Sequence, residues 1–276
     1  MNIESDGGSA EVYLSGAHVT AFQPRDEDPV LWMSKKSAFV EGKAIRGGVP
    51  ICFPWFGAHP GDATLPSHGL VRQRPWSVES VAKLANGAVE ATLSISSDSD
   101  TLKVWPHEFR LVFSVVVSDM LSVTLEVHNP GPNSIAVTDA LHSYFAVSDV
   151  RSVELHGLDG FQYIGKLRES EGPIIQRGPI RFVSETDRPY LSTTDSCTIN
   201  DTGMNRSIVI HKRGSLSTVV WNPWIYKAKR MPDFGDEEWM GMLCVETANV
   251  LRNEISIPAG ASHSMEAIIS VNRLGA

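Results

Sequence analysis

The chain has 276 residues, 42% of them apolar and 20% charged, proportions of a soluble globular protein with ample length for a buried core. Its net charge of −8, with Lys and Arg dispersed along the chain, argues against nucleic-acid binding through a basic patch. Three cysteines, Cys52, Cys197 and Cys244, are too few for a disulfide framework and have no metal-site spacing, which suits a reducing compartment.

The chain starts Met1-Asn2-Ile3-Glu4-Ser5-Asp6, without the basic and apolar regions of a secretion signal, and no apolar run reaches spanning length. A cytoplasmic protein with no membrane partner is expected. Residues 11–22 read as one or two strands around Gly16, residues 30–33 as another, and 35–39 as one helical turn. Segments 76–81 and 89–95 flank Asn86-Gly87, the dipeptide of a type I′ hairpin whose two central residues both need φ > 0. Residues 109–117 and 121–128 alternate apolar and polar at period two, as strands with one buried face do.

After the turn at Asn129-Pro130-Gly131-Pro132, residues 135–147 read as one strand. Ile135, Val137 and Leu141 share one face; Thr138, Ala140, His142 and Tyr144 share the other. Residues 150–206 suit short strands joined by long loops. Residues 207–221 read as a hairpin around Arg213-Gly214-Ser215, 227–238 as a charged loop, 243–246 as a strand end and 254–271 as a final hairpin. With many strands, no long amphipathic helix and no break in composition, the chain is expected to form a single all-β domain over residues 1–276, an antiparallel sandwich or barrel.

Residues 44–76 stand out chemically. Arg46-Gly47-Gly48-Val49-Pro50-Ile51-Cys52-Phe53-Pro54-Trp55-Phe56-Gly57 is followed by Ser67-His68-Gly69-Leu70-Val71-Arg72. Two arginines beside glycines let backbone amides approach whatever the guanidinium groups hold, and three prolines stiffen the connections. Either arginine alone would suit a surface ion pair; the whole constellation suits a ligand site. His142 can titrate near neutrality, and Glu246 ends an apolar run before Thr247-Ala248-Asn249. Taken singly, each is more simply a sheet histidine and a rim carboxylate. Together with two arginines they make an acid, a base and cations for an anionic ligand. There is no phosphate-binding glycine loop or nucleophile elbow.

These residues match a known pattern. Residues 46–57, 67–72, Leu141-His142-Ser143-Tyr144-Phe145, Val220-Trp221-Asn222-Pro223-Trp224 and Cys244-Val245-Glu246-Thr247-Ala248-Asn249 occur in family order. In them the chain resembles the hexose-6-phosphate mutarotases, the glucose-6-phosphate 1-epimerase branch of the aldose 1-epimerase superfamily. The resemblance implies a large antiparallel β-sandwich of galactose mutarotase-like type, with the site on its concave face. It implies His142 and Glu246 as catalytic residues, Arg46 and Arg72 as phosphate ligands, and His68, Ser67, Trp221 and Asn222 as further substrate contacts. One departure stands at Tyr163-Ile164-Gly165-Lys166, where an acidic residue for sugar hydroxyls is expected and Gly165 occurs, with Asp159 or a neighbouring carboxylate as a substitute. Ser67 replaces a longer amide side chain.

The reaction so implied opens the hemiacetal ring with Glu246 as base and protonated His142 as acid, then closes it from the other carbonyl face. No metal or redox cofactor is expected. The partner is a small sugar phosphate, and the chain a monomer or weak homodimer. The rivals are an aldose 1-epimerase for unphosphorylated sugars and a non-catalytic sugar-phosphate-binding protein; a glycoside hydrolase would need a second carboxylate.

Overall fold

The alternation at 109–128 becomes the centre of a nine-stranded antiparallel sheet. Arg110–Val117 and Leu121–His128 bury every second residue, and both pair along their length. A computed structural model describes residues 1–165 and 172–275. Within them the order of this sheet is Ile180–Arg181, Glu154–His156, Cys197–Asp201, Arg206–Arg213, Ser262–Arg273, Leu121–His128, Arg110–Val117, Val89–Ser96 and Ser77–Lys83. A second antiparallel sheet packs on it, ordered Pro173–Ile175, Gln162–Ile164, Thr186–Leu191, Ser217–Asn222, Met242–Asn249, Asp139–Leu141 and Ile51–Cys52. Tyr144–Ala146 also pairs with Met242–Asn249. The core between the sheets includes Phe113, Leu125, Ile199, Ile208, Tyr190, Val245 and Ile269. This is the expected all-β sandwich.

Several local readings change. Residues 135–147 are three short strands, Ile135–Val137, Asp139–Leu141 and Tyr144–Ala146, because the first pairs with Ile255–Ile257 and the others with Met242–Asn249. Arg206–Arg213 and Ser217–Asn222 are not a hairpin. The first pairs within the nine-stranded sheet and the second within the site-bearing sheet, so Gly214 carries the chain across the sandwich. Gly214 has φ 65° and stands where an added Cβ would meet the Ser264 carbonyl oxygen at 1.9 Å. Likewise Ile255–Ile257 pairs with Ile135–Val137 and Ser262–Arg273 with Leu121–His128, so the final hairpin is absent. At Asn86-Gly87 only Gly87 has positive φ, and the connection closes by a bond from Leu84 N to Ala88 O; it is longer than a type I′ turn.

Leu31 and Met33 make isolated bridges rather than a strand, and no helical turn forms at 35–39. The six-residue helix Ser99–Val104 was not anticipated; Asp98 and Thr101 cap it reciprocally. Short helical turns occur at Trp224–Ala228 and Glu238–Gly241. Among the described residues no helix is long and apolar enough to cross a membrane.

Candidate active site

The strand Met242–Asn249 is buried along its whole length. Its register brings the two predicted catalytic groups together. Leu141 faces Thr247 and Tyr144 faces Cys244, so His142 lies opposite Glu246 on the neighbouring strand. Opposed side chains on one face are close neighbours. His142 Nε2 is 3.4 Å from Glu246 Oε1. The carboxyl group is 1% exposed and the imidazole 7%. At this point the ladder is interrupted: His142 N bonds Pro50 O and Tyr144 N bonds Gly48 O. The arginine-bearing loop therefore runs alongside the histidine. Gly48 lets the same loop lie against the strand His18–Pro24, because an added Cβ would meet Val19 O at 2.2 Å.

Tyr144 stacks on His142 with centroids 4.8 Å apart and planes 9° apart, and its hydroxyl accepts from Arg46 Nη1 at 3.0 Å. Arg46 also donates from Nε to Asp233 at 3.1 Å, with an Nη2–Oδ2 separation of 3.0 Å. Burial opposes the Arg46 charge, but Tyr144 and Asp233 outweigh it and raise its pKa. Arg72 donates from Nη2 to the Ser67 carbonyl at 2.7 Å, and its Nε is buried with no hydrogen-bond partner among the described residues. Burial lowers the Arg72 pKa, and Arg46 is among the charges acting on it.

His68 joins the group. Its ring is 5.4 Å from that of His142, and Nδ1 lies 3.4 Å from Cys52 Sγ and accepts from Gly57 N at 3.3 Å. Trp221 stands edge-on to His142 at 6.2 Å and to Tyr144 at 6.0 Å. Two cavities border this floor. One of about 490 Å³ is lined by Trp55, Phe56, His59, Thr138 and Pro189. Another of about 330 Å³ is lined by Tyr163, Gly165, Glu185, Asp187 and Arg188.

Three expectations are corrected. Asn222 does not reach the site: alternation turns it to the face opposite Trp221, and its amide is committed to Trp239 O, Met242 O and Trp224 N. Ser67 is exposed, and it is its carbonyl that serves Arg72. The imidazolium expected from the nearby carboxylate is opposed by its surroundings. Burial, then His68, Arg46 and Arg72, push the His142 pKa well below its ordinary value.

Gly165 does line a cavity, whereas Asp159 accepts from Gly178 N in a surface turn; Lys166 lies outside the described residues. Asp187 lines the same cavity as Gly165; its partner across the strands is Trp221 and its Oδ2 is 3.9 Å from Lys227 Nζ. The sequence reading does not name it. The signal available was Asp187 within the short run before Pro189, but nothing local sets that strand beside 217–222.

The profile of the family described as aldose 1-epimerase matches residues 1–270. A protein of Cenchrus ciliaris named "Putative glucose-6-phosphate 1-epimerase" is 39% identical over 249 residues, covering 87% of this chain and 75% of that one. A protein of the same name from Escherichia coli K12 is 37% identical over 239 residues, covering 87% and 79%. The crystal structure of a "putative mutarotase" from Salmonella typhimurium superposes with a TM-score of 0.90 at 33% identity, covering 99% of this chain and 90% of that one. A galactose mutarotase related enzyme from Lactobacillus acidophilus has a TM-score of 0.80 at 12% identity, covering 99% and 97%, a likeness of fold.

Proposed function

The chain belongs to the aldose 1-epimerase family, and on that premise we propose that it interconverts the α and β anomers of a hexose 6-phosphate, glucose 6-phosphate foremost. The observation that carries this reading is the buried His142–Glu246 pair at 3.4 Å, linked through Tyr144 to Arg46. Glu246 takes the C1 hydroxyl proton while C1–O5 breaks and O5 takes a proton from His142. The resulting aldehyde rotates about C1–C2. O5 then adds to the other carbonyl face, returning its proton to His142 as Glu246 reprotonates O1. Protons and electron pairs balance without a co-reactant. Positioned acid–base help of this kind contributes about 10²–10⁴-fold per group.

The arginines do more than anchor in this reading. After burial and His68, their charges lower the His142 pKa. A phosphate dianion held between Arg46 and Arg72 offsets those charges and shifts the ring toward the imidazolium. Asp187 and Trp221 are assigned to the sugar hydroxyls and ring face.

The test is to compare catalysed mutarotation of glucose 6-phosphate and glucose by exchange NMR. Faster turnover of the phosphorylated sugar, lost in Arg46→Ala through a raised KM, is expected. The Asp233–Arg46 pair favours one second reading, in which Arg46 is structural and the substrate is an unphosphorylated aldose; equal rates on both sugars would select it. Sugar phosphate binding without interconversion would overturn both.

A further inference from the structure

We infer that Cys244, His142 and Glu246 together form an inhibitory site for a borderline-soft divalent cation, of which Zn²⁺ and Cd²⁺ are the chemical type. Their ligand atoms all lie within 4.8 Å of one another, and all three residues are buried on one face of the sheet. The spacing follows from the register. Cys244 and Glu246 are two apart on one strand, and Cys244 faces Tyr144, two residues beyond His142. The His142–Glu246 edge of 3.4 Å is already close to that of a tetrahedral nitrogen–oxygen pair, which is about 3.3 Å for metal–ligand bonds of about 2.0–2.1 Å. A modest side-chain adjustment brings the sulfur to the corresponding distance.

The donor chemistry selects the ion. A neutral imidazole, a thiolate and a carboxylate suit Zn²⁺ or Cd²⁺, whereas Mg²⁺ and Ca²⁺ call for oxygen ligands. Imidazole binds a metal through its neutral form and cysteine through its thiolate, so a ligating Cys244 must lose its proton. Binding therefore exchanges the thiol proton for the metal, and that proton leaves to the buffer. Thiolate and carboxylate neutralise the dication, so Arg46 and Arg72 face an assembly of no net charge. Three protein ligands leave a fourth position for water, as in open zinc sites.

Occupancy would tie up both groups assigned to proton transfer, and in that respect the inference rests on the reading above. Direct binding separates the two. Cd²⁺ added to the whole protein is expected to produce a thiolate-to-metal charge-transfer band at one equivalent, lost in Cys244→Ser and in Cys244→Ala and reversed by a chelator. Mg²⁺ at the same concentration should give no heat of binding by calorimetry. Zn²⁺ should inhibit mutarotation competitively with sugar phosphate, and either Cys244 variant should raise the inhibitory concentration at least tenfold while retaining basal activity. A Cd²⁺ band that persists in both variants would assign the metal to Cys52 or Cys197 and overturn the site. So would the absence of any band in the unaltered protein, or equal Zn²⁺ inhibition with and without Cys244. If the protein proved inactive on every sugar, the band would still decide the metal site.

Discussion

The two large sheets solve different problems. In the nine-stranded sheet, apolar side chains point in and polar ones mostly out: Leu111, Phe113, Val115 and Val117 are buried while Arg110 and Ser114 are partly exposed. The sheet that carries the site is enclosed on both faces at its centre. Met242–Asn249 and Ser217–Asn222 have no exposed position, yet they hold Ser217, Thr218, Asn222, Glu246, Thr247 and Asn249. Asp139 and His142 add buried ionisable groups on adjacent strands. Burying such groups costs stability unless hydrogen bonds compensate. The difference teaches that one sheet supplies the apolar burial that lets the other hold its polar groups out of water.

The sharpest way to break this contrast is to remove the paired groups. Glu246→Gln and His142→Asn should each reduce catalysed mutarotation by about 10²–10⁴-fold, followed by polarimetry, while thermal midpoints hold or rise. Ser114→Ala, on the outward face of the other sheet, should change neither. Near-normal rates in Glu246→Gln would end the assignment of a base.

Stability against pH separates the sheets next. Asp139 is wholly buried and accepts from Asn249 Nδ2 at 2.9 Å; burial raises its pKa to about 6. A raised carboxyl pKa favours the folded state below the unfolded value, and that contribution is lost as pH rises through about 6. His18, whose Nε2 meets Gly47 O at 2.7 Å beside Arg46, is pushed down to about 4, chiefly by burial. Its contribution is complete above the unfolded value near 6.5 and is lost as pH falls through about 4. Each is worth up to about 3 kcal/mol. Between about pH 4 and 6.5 the two trends oppose in the unaltered protein, and Asp139→Asn leaves only that of His18, so urea midpoints of the variant should rise more steeply with pH there than those of the unaltered protein. The same pH dependence in both would remove Asp139 from the account.

The same division explains what could be read in advance. Period-two alternation survives where one sheet face is half-exposed, so residues 109–128 were legible as strands. In Met242–Asn249 both faces are buried and alternation carries no sign, so a strand end was expected where an eight-residue central strand lies. The sequence reads as a hairpin around Arg213-Gly214-Ser215, but Gly214 joins different sheets, and local turn chemistry says nothing about that. The pairing of His142 with Glu246 came from resemblance and was then met by register. Asp187 comes beside Trp221 only through strand order. The lowering of the His142 pKa comes from burial, His68 and two guanidinium groups that lie far away in the chain.

Asp233 gives the smallest effect and the finest test. Its carboxylate pairs with the guanidinium of Arg46, the group proposed to bind phosphate, and both side chains are partly exposed, 30% and 23%. A pair so placed adds at most about 1 kcal/mol to stability. It can act as a competitor that the phosphate displaces or as a splint that aims the guanidinium. The approach of a dianion to a carboxylate is repulsive, which favours the competitor. Asp233→Asn keeps an oxygen acceptor for Arg46 and removes the charge, so KM for glucose 6-phosphate should fall about three- to tenfold, up to about 1.4 kcal/mol, with kcat unchanged. The effect on unphosphorylated glucose should be nil. A rise in KM instead would make Asp233 the splint, and an equal change on both sugars would detach Arg46 from phosphate recognition.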